Sequence, residues 1–346
     1  MKLRTSTPNR FKQASIFTFV IIRFKHIAIA EALIIIVLLF LHFYPWEVQS
    51  GLLSPRVYRG LLEPQSYLIL NYAPLREELS PHLEKLNVSV YVVNFRDGAS
   101  MGIRQTQEYI PASISKLPLA IILLKKIEDA HIDLDQVITI NDSARTGRSG
   151  TLYNVPFTKR TLRFLIIQML QESDNTAAHA LKDFSESLNV SDDYSALLWD
   201  YLGYFGSDDV PFHRASVTTP TAYTTSPKSI YNLFSSLYLS TILTPEHSEY
   251  VLSLLTNTSF DIHAAAHIPE DVVIAQKYGS YYEGSLKYFH SCGILYPEDM
   301  RVFYCIMTKD LERDDAVRTI GYIVHNIYNY SISTRSKLDE YRNQVN

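Results

Sequence analysis

The sequence predicts an α+β domain of the sandwich type, in which helices and an all-α subdomain flank a five-stranded antiparallel sheet. Two strand-like runs occur early in the chain, at 88–95 and 102–109, and three occur late, at 272–277, 287–295 and 301–307. Helical periodicity comes before, between and after these runs. One sheet assembled from both ends of the domain is the economical arrangement of such elements.

The predicted helices follow from the spacing of apolar residues. Leu75, Leu79 and Leu83 recur every four residues, which is typical of an amphipathic helix. Residues 112–129 carry apolar side chains on most faces, which indicates a central, buried helix. Further helices are expected at 159–184, with an interruption at Ser173-Asp174-Asn175, and at 194–204, 226–239, 246–255 and 313–328.

Composition limits the classes of function. The chain has 346 residues, of which 47% are hydrophobic and 20% charged, and its net charge is −4. This is an ordinary globular composition without the basic surface that nucleic-acid binding requires, so we expect no nucleic-acid partner. No cysteine and histidine spacing suits a zinc site, and we expect no cofactor. We expect the protein to be a monomer.

The N-terminal part predicts a membrane anchor. A basic segment, 1–26, precedes a predicted anchor at 27–46. Its apolar run, 27–43, is broken only by Glu31 and His42, ends before Tyr44-Pro45-Trp46 and is about long enough to cross the hydrocarbon layer. The basic flank predicts a single-pass protein of the cell membrane with its N-terminus in the cytoplasm and its catalytic domain outside. A buried helix of the globular domain is the alternative. We expect a linker at 47–73, the main domain at 74–330 and a polar tail at 331–346.

The two cysteines lie on either side of a turn signal. Cys292 and Cys305 flank residues 296–299, Tyr-Pro-Glu-Asp, between two strand-like runs. If the hairpin turns there, the cysteines face each other across the strands. A disulfide and two buried free thiols are both compatible with this pattern.

Three short motifs carry the candidate chemistry, in the order Ser113-Ile114-Ser115-Lys116, Ser173-Asp174-Asn175 and Lys277-Tyr278-Gly279. Ser113 and Lys116 are one helical turn apart, so the amine can reach the hydroxyl. A serine nucleophile needs a neighbouring base, and a lysine can be that base only if burial or a second cation lowers its pKa. Lys277 can supply that cation. The alternative is that Ser113 only caps a helix.

The other motif residues suit supporting roles. Ser173 can relay a proton to the leaving group, Asn175 can hold a substrate carbonyl or amide, and Gly279 lets a substrate approach the backbone closely. Asp174 is expected to bind backbone groups and fix the turn. A helix-boundary cap at Ser173 and edge protection by Lys277 are the structural alternatives.

This constellation resembles the class A β-lactamases and their penicillin-binding relatives, over about residues 75–330. The resemblance extends beyond the motifs to the segments Lys116-Leu117-Pro118-Leu119-Ala120, Arg148-Ser149-Gly150-Thr151, Val217-Thr218-Thr219-Pro220 and His290-Ser291-Cys292-Gly293-Ile294. It implies a serine hydrolase with a five-stranded antiparallel sheet beside an α-helical domain. Its substrate would be a β-lactam or a peptidoglycan-derived amide or ester.

The resemblance also implies a role for each matching residue. Ser113 is expected to be the acylated nucleophile and Lys116 its base. Ser173 is expected to relay a proton, and Lys277 to act as an electrostatic anchor. Substrate binding is expected from Asn175, Gly279 and Ser280. The backbone N–H groups of Ser113 and Ser280 would form the oxyanion hole.

Two departures from the family pattern bear on turnover. The family carries a glutamate in an Ω-shaped loop, and this chain has no glutamate between Leu188 and Pro245. Three aspartates are candidates to replace this glutamate, and the spacing does not select one of them: Asp200, Asp208 and Asp209. Tyr278 also replaces the hydroxyl residue of Lys-Thr-Gly, which contacts the substrate carboxylate in the family.

Three interpretations follow, and the first is favoured. It is a β-lactamase-like enzyme in which Ser113 is acylated and the acyl-enzyme is then hydrolysed. A slow-deacylating penicillin-binding or D-alanyl peptidase-type protein is its close competitor. The second is a catalytically silent domain that binds the cell wall or a partner protein. The third is a membrane-tethered structural protein in which every motif match is accidental.

Overall fold

The computed structural model describes residues 33, 35, 70–156, 158–188 and 224–345. Apart from residues 33 and 35, the predicted basic segment and anchor lie outside this part of the chain, as do most of the linker and the helix predicted at 194–204. Within the described residues, no helix combines the length and apolar character that crossing a bilayer requires.

The described chain contains eight α-helices and seven β-strands. In order, they are α1 (Ala73–Leu83), β1 (Val88–Asn94), β2 (Ser100–Ile103), α2 (Lys116–Asp129), β3 (Val137–Thr139), β4 (Lys159–Thr161), α3 (Leu162–Leu170), α4 (Asn175–Ser187), α5 (Pro227–Tyr238), α6 (Pro245–Leu255), α7 (Ile262–Ala266), β5 (Val273–Glu283), β6 (Leu286–Tyr296), β7 (Val302–Lys309) and α8 (Arg313–Val345). Short 3₁₀ helices occur at Ala112–Ser115, Asp142–Ala144 and Leu152–Asn154.

The main sheet has five antiparallel strands in the order β2-β1-β7-β6-β5. The predicted sheet, built from both ends of the domain, is therefore confirmed. Val88 of β1 pairs with Thr308 of β7. Strand β5 is an edge strand, so one side of its backbone is free of strand partners. Strands β3 and β4 form a separate two-stranded sheet.

Two apolar cores lie on opposite faces of the main sheet. One contains the buried side chains of α1, α7 and α8, such as Leu79, Ala266 and Ile320. The other contains those of α2 to α6, such as Leu123 and Leu233. Because side chains alternate between the faces of a strand, the sheet contributes to both cores, and the fold has three layers.

Several boundaries differ from those predicted. Strand β5 runs to Glu283 rather than to 277, and residues 159–161, expected to begin a helix, form β4. The second strand was expected at 102–109, but it ends at Ile103 because Arg104 adopts a positive φ of 48°, and Tyr109 forms an isolated bridge with Thr225. The last helix was expected to end near Tyr328, but it runs to Val345 and includes the predicted polar tail. That helix continues past 328 with a buried Ser331 whose hydroxyl donates to the Ile327 carbonyl.

The segment predicted as one helix at 112–129 begins as a 3₁₀ turn, and α2 starts only at Lys116. Pro118 consequently lies in the first turn of α2, where a backbone N–H would have no intrahelical partner. A proline is therefore tolerated beside the candidate nucleophile. Cys292 and Cys305, whose state the sequence left open, pair directly across β6 and β7 and form a disulfide.

The contact between α7 and α8 predicts an unusual effect of a helical glycine. A Cβ at Gly321 would lie 2.0 Å from the carbonyl oxygen of Ala265. In an open helix, Gly→Ala stabilises by about 1 kcal/mol. We expect Gly321→Ala instead to lower the free energy of unfolding by about 1–3 kcal/mol, measured by urea denaturation, because the helices must separate. An increase in stability would contradict this packing.

Candidate active site

Ser113 lies in the 3₁₀ turn that precedes α2, at the contact between this turn and the edge strand β5. The turn is sharp because Ala112, which is buried, has a φ of +49°. Ser113 is partly exposed, whereas its neighbours are buried. A side chain held on a strained turn with its hydroxyl accessible is the arrangement expected of a nucleophile.

Lys116 connects two of the predicted motifs. Its Nζ lies 2.9 Å from Ser113 Oγ and 2.9 Å from Asn175 Oδ1, and its side chain is buried. Burial lowers the pKa of Lys116 to about 8, although the nearby Asp174 carboxylate opposes this shift. At pH 7, about a tenth of the molecules therefore carry a neutral amine beside the hydroxyl.

Lys277 of β5 is fully buried, and its Nζ has no hydrogen-bond partner among the described residues. Burial lowers its pKa well below the ordinary value, repulsion from Lys116 adds to the shift, and Glu172 opposes it. Burial and repulsion from Lys116 both favour the neutral form of Lys277, and burial is what lowers the pKa of Lys116. The role of Lys277 as a second cation that tunes the candidate base therefore stays a prediction.

Asp174 fixes the turn that carries the second motif, as predicted. Its carboxylate caps α4 by accepting from the Ala177 N–H and also accepts from the Leu152 N–H, at 2.9 Å in both cases. Gly150 passes so close that a Cβ there would lie 1.9 Å from the carboxylate. The buried carboxylate therefore joins α4 to the loop that contains Arg148 and Gly150.

Ser173 and Asn175 flank this carboxylate. Ser173 has a φ of +56°, is 1% exposed, and its Oγ has no partner within the described part of the chain. Asn175 has both ends of its amide occupied, because Oδ1 accepts from Lys116 and Nδ2 donates to the Gly147 carbonyl at 2.9 Å. Nδ2 carries a second N–H, so a contact from Asn175 to substrate stays a prediction that does not require Gly147 to be released.

Gly279 is needed for packing as well as for any approach of substrate. A Cβ on this residue would lie 2.8 Å from the Pro111 carbonyl oxygen and 3.1 Å from the Ile114 nitrogen. The absence of a side chain lets β5 press against the turn that presents Ser113. Ser280, the next residue on the edge strand, is consequently placed beside that turn.

Tyr278 turns towards aromatic neighbours at the sheet edge. Its hydroxyl is 2.9 Å from Ser259 Oγ, and its ring packs against Phe260 and Phe289. Lys277 Nζ lies 4.8 Å from the centre of the same ring. The phenol that replaces the family's hydroxyl residue thus holds the edge strand and lies along the lysine that precedes it.

His290 also supports the nucleophile, a role that the sequence did not reveal. It pairs with Gly279, its Nε2 donates to the Ile110 carbonyl at 2.8 Å, and its Nδ1 accepts from the Thr308 N–H at 3.2 Å. Burial lowers its pKa to about 4, so the ring is neutral. The available signals were a polar side chain next to Ser291 in a largely apolar strand and its place at the start of the family-like segment 290–294.

Several predicted features lie outside the described residues. They are the segment Val217-Thr218-Thr219-Pro220 and the three aspartates Asp200, Asp208 and Asp209. Within the described ranges, no group of three His, Cys, Asp or Glu side chains has the arrangement needed to hold a metal ion. The motif residues themselves offer two amines, hydroxyls and an amide, which suit acyl transfer better than metal binding.

Comparison with known proteins gives a consistent result. A family model described as "Beta-lactamase enzyme family" matches residues 74–331. None of the curated proteins matches the chain.

Solved structures with the same fold include two β-lactamases and a penicillin-binding protein. TLA-3 extended-spectrum beta-lactamase has a TM-score of 0.66 and 16% identity, covering 76% of this chain and 100% of its own. A beta-lactamase from Chitinophaga pinensis has a TM-score of 0.63 and 18% identity, covering 76% of this chain and 100% of its own. PBP-A has a TM-score of 0.62 and 20% identity, covering 75% of this chain and 98% of its own. At these identities the similarity shows the fold.

The buried, unpartnered amine of Lys277 predicts that the site is maintained at a cost to stability. We expect Lys277→Met to raise the free energy of unfolding at pH 7 by about 1–3 kcal/mol, because an unsatisfied polar group is removed. Because the pKa of Lys277 is lowered on folding, the unfolded chain binds a proton that the folded chain does not, and the wild-type protein becomes more stable as pH rises towards 10.5. The stability advantage of Lys277→Met should therefore shrink over the same range. Urea denaturation at pH 7 and pH 9.5 measures both effects.

Lys126→Met is the matched control. Lys126 is also buried, but its Nζ donates to the Ser185 carbonyl at 3.0 Å. Its replacement should lower stability, because that carbonyl loses its partner. Equal effects of the two substitutions would show that the Lys277 amine is not energetically distinct.

Proposed function

The chain belongs to the beta-lactamase enzyme family, and from this premise we propose that it is a serine hydrolase acylated at Ser113 by a β-lactam or a related amide or ester. One observation carries the proposal: the buried Lys116 amine, whose pKa is lowered to about 8, lies 2.9 Å from Ser113 Oγ. A binding site alone does not require a desolvated base beside a hydroxyl.

Acylation would begin with the neutral form of Lys116. Its lone pair accepts the Ser113 hydroxyl proton as Oγ forms a bond to the substrate carbonyl carbon, and the carbonyl oxygen gains the negative charge. N–H groups of Ser113 and Ser280 would stabilise that oxyanion. Contact with Asn175 Oδ1 keeps the amine directed at Oγ while the proton moves.

Collapse of the intermediate would release the leaving group. The carbonyl re-forms, the bond from carbon to the leaving nitrogen or oxygen breaks, and the leaving atom takes the proton that Lys116 received. Ser173 Oγ is our candidate relay for this transfer. Its hydroxyl and the Lys277 amine are both buried without partners in the described chain, which suits a site where a substrate supplies the missing polar groups.

Slow deacylation is the second candidate, and a specific feature favours it. The chain lacks a glutamate between Leu188 and Pro245, where the family resemblance places the residue that activates the hydrolytic water. We therefore propose that the acyl-enzyme is long-lived, as in a penicillin-binding protein.

We further propose that residues 27–46 anchor the domain outside the cytoplasm, which alkaline extraction of membranes and protease accessibility would test.

The proposal predicts a covalent adduct on one residue. We expect intact-mass spectrometry of the protein with a penicillin to show an added mass equal to the whole drug, because ring opening expels nothing. Ser113→Ala should show no adduct, while Ser115→Ala, on the same turn, should be acylated. An adduct that persists for hours indicates slow deacylation, and a transient adduct with released penicilloate indicates a β-lactamase.

Labelling of Ser113→Ala would move the nucleophile to another residue. A wild-type protein that binds penicillin without an adduct would contradict the enzymatic proposal and favour a silent binding domain.

The pKa of Lys116 predicts the pH dependence of acylation. The amine acts as a base only when neutral, so the acylation rate should rise about tenfold per pH unit below the pKa and level off above about pH 8. Lys116→Ala should slow acylation by about 10²-fold or more and remove this inflection. A rate for Lys116→Ala near that of the wild type would show that another group is the base.

A further inference from the structure

His179 lies on α4, one helical turn after Asn175. Residues four apart share a face of a helix, so His179 and Asn175 are neighbours on the same side of α4. Side chains of a helix also lean towards its N-terminus, which directs the imidazole back towards the turn that holds Asn175. Because Asn175 Oδ1 lies 2.9 Å from the Lys116 amine, this face of α4 leads directly to the candidate catalytic residues.

Two contacts determine how α4 lies against α2. The Lys116 amine contacts the first residue of α4, and ten residues later in each helix Lys126 Nζ donates to the Ser185 carbonyl at 3.0 Å. The two helices therefore run in parallel and in step. Four residues into this pairing, the residue of α2 at the level of His179 is Ala120, which is buried. A single methyl group there leaves space for an imidazole beside the Lys116 side chain.

The imidazole of His179 is accessible and uncharged. It is partly exposed, and no residue of the described chain forms a hydrogen bond with the ring. Burial lowers the pKa of His179 below its ordinary value, the charges of Lys182 on α4 and Lys116 on α2 add to the shift, and Asp183 on α4 opposes it. At pH 7 the ring is therefore largely neutral, and one of its nitrogens can accept a proton.

Hydrolysis of an acyl-enzyme needs a base that is free of its proton at neutral pH. Lys116 meets this requirement poorly, since with a pKa of about 8 most of its amines are charged at pH 7. The carboxylate of Glu172 is the other base near the motif residues of the described chain, but it is exposed and its charge acts on Lys277. His179 alone combines a neutral form with a place on the helix face that adjoins the Lys116 amine.

We propose that His179 is a catalytic residue, the general base that takes a proton from the water that hydrolyses the acyl-enzyme on Ser113. The inference rests on the proposed function, because it concerns the same acyl-enzyme. Turnover through His179 then sets the lifetime of the adduct.

The hydrolytic step begins as the water oxygen forms a bond to the acyl carbon. A ring nitrogen of His179 accepts the water proton, and the carbonyl oxygen becomes an oxyanion. When the carbonyl re-forms, the bond from carbon to Ser113 Oγ breaks, and the imidazolium returns its proton to Oγ. The acyl group leaves as a carboxylic acid, and both residues regain their starting forms.

The test measures the lifetime of the penicillin adduct by intact mass after free drug is removed. His179→Gln should lengthen this lifetime about a hundredfold, because an amide cannot act as a base. The acylation rate should stay unchanged, because acylation uses Lys116. Glu172→Gln, which removes the competing carboxylate, should leave the lifetime unchanged.

The charges around His179 provide a readout that a merely structural role would not move. The hydrolysis rate should fall about tenfold per pH unit below the pKa of His179, since only the neutral ring is a base. Lys182→Gln removes a charge that lowers this pKa, so the inflection should move to higher pH. Asp183→Asn removes a charge that raises it, so the inflection should move to lower pH. An inflection that neither variant moves would overturn the inference.

Chemical rescue tests the same role in another way. His179→Ala leaves the space of a ring beside Ala120, and added imidazole should shorten the lifetime of its adduct. His247→Ala is the matched control, because His247 is also a partly exposed helical histidine, held at the far end of α2 by Glu128 at 2.8 Å. Its adduct should have the wild-type lifetime with or without imidazole.

This inference and the proposed function fail in different ways. Equal adduct lifetimes in the wild type and His179→Gln would overturn the inference and leave acylation of Ser113 intact. A longer lifetime in Glu172→Gln but not in His179→Gln would assign the step to that carboxylate and also overturn it. A wild-type protein that gives neither adduct nor penicilloate would contradict the proposed function and this inference with it.

Discussion

The contact of the Lys116 amine with Ser113 and Asn175 is the interaction on which the rest of the site depends. It brings together residues from the start of α2 and the start of α4, which are far apart in sequence. Water is excluded from the amine, so its two partners determine its direction and burial determines its proton affinity. Asp174 and Gly150 hold the second of these elements in place.

Function and stability are in opposition around this amine. Ala112, Arg148 and Ser173 all adopt positive φ values without being glycines, and each such conformation costs about 1–3 kcal/mol. Lys277 and Ser173 add buried polar atoms that no described residue satisfies. Positive φ values and unsatisfied polar atoms also occur elsewhere in the described chain, as at Arg104 and Tyr72. It is their combination beside the Lys116 amine that suits a place where a ligand is bound.

Local patterns predicted the features that depend on short separations. The helical spacing of Ser113 and Lys116, the capping role of Asp174 and the strands of the sheet all follow from neighbouring residues. The supports of the site do not. His290 reaches Ile110 only because β6 pairs with β5 so that His290 lies opposite Gly279. Arg148 meets Glu283 only because the loop before the second motif comes close to the end of β5. Such contacts depend on how distant strands and loops are aligned with each other, which the local patterns of a single sequence do not reveal.

The central position of β1 has a consequence for synthesis of the chain. This strand lies between β2 and β7, and its buried valines, such as Val90 and Val92, are covered on both sides only after β7 has formed. A nascent chain emerges from the ribosome N-terminus first, so β1 waits with an apolar, unpaired edge until the last strand is complete. The sheet therefore closes late, and incomplete chains present the edge most prone to aggregate.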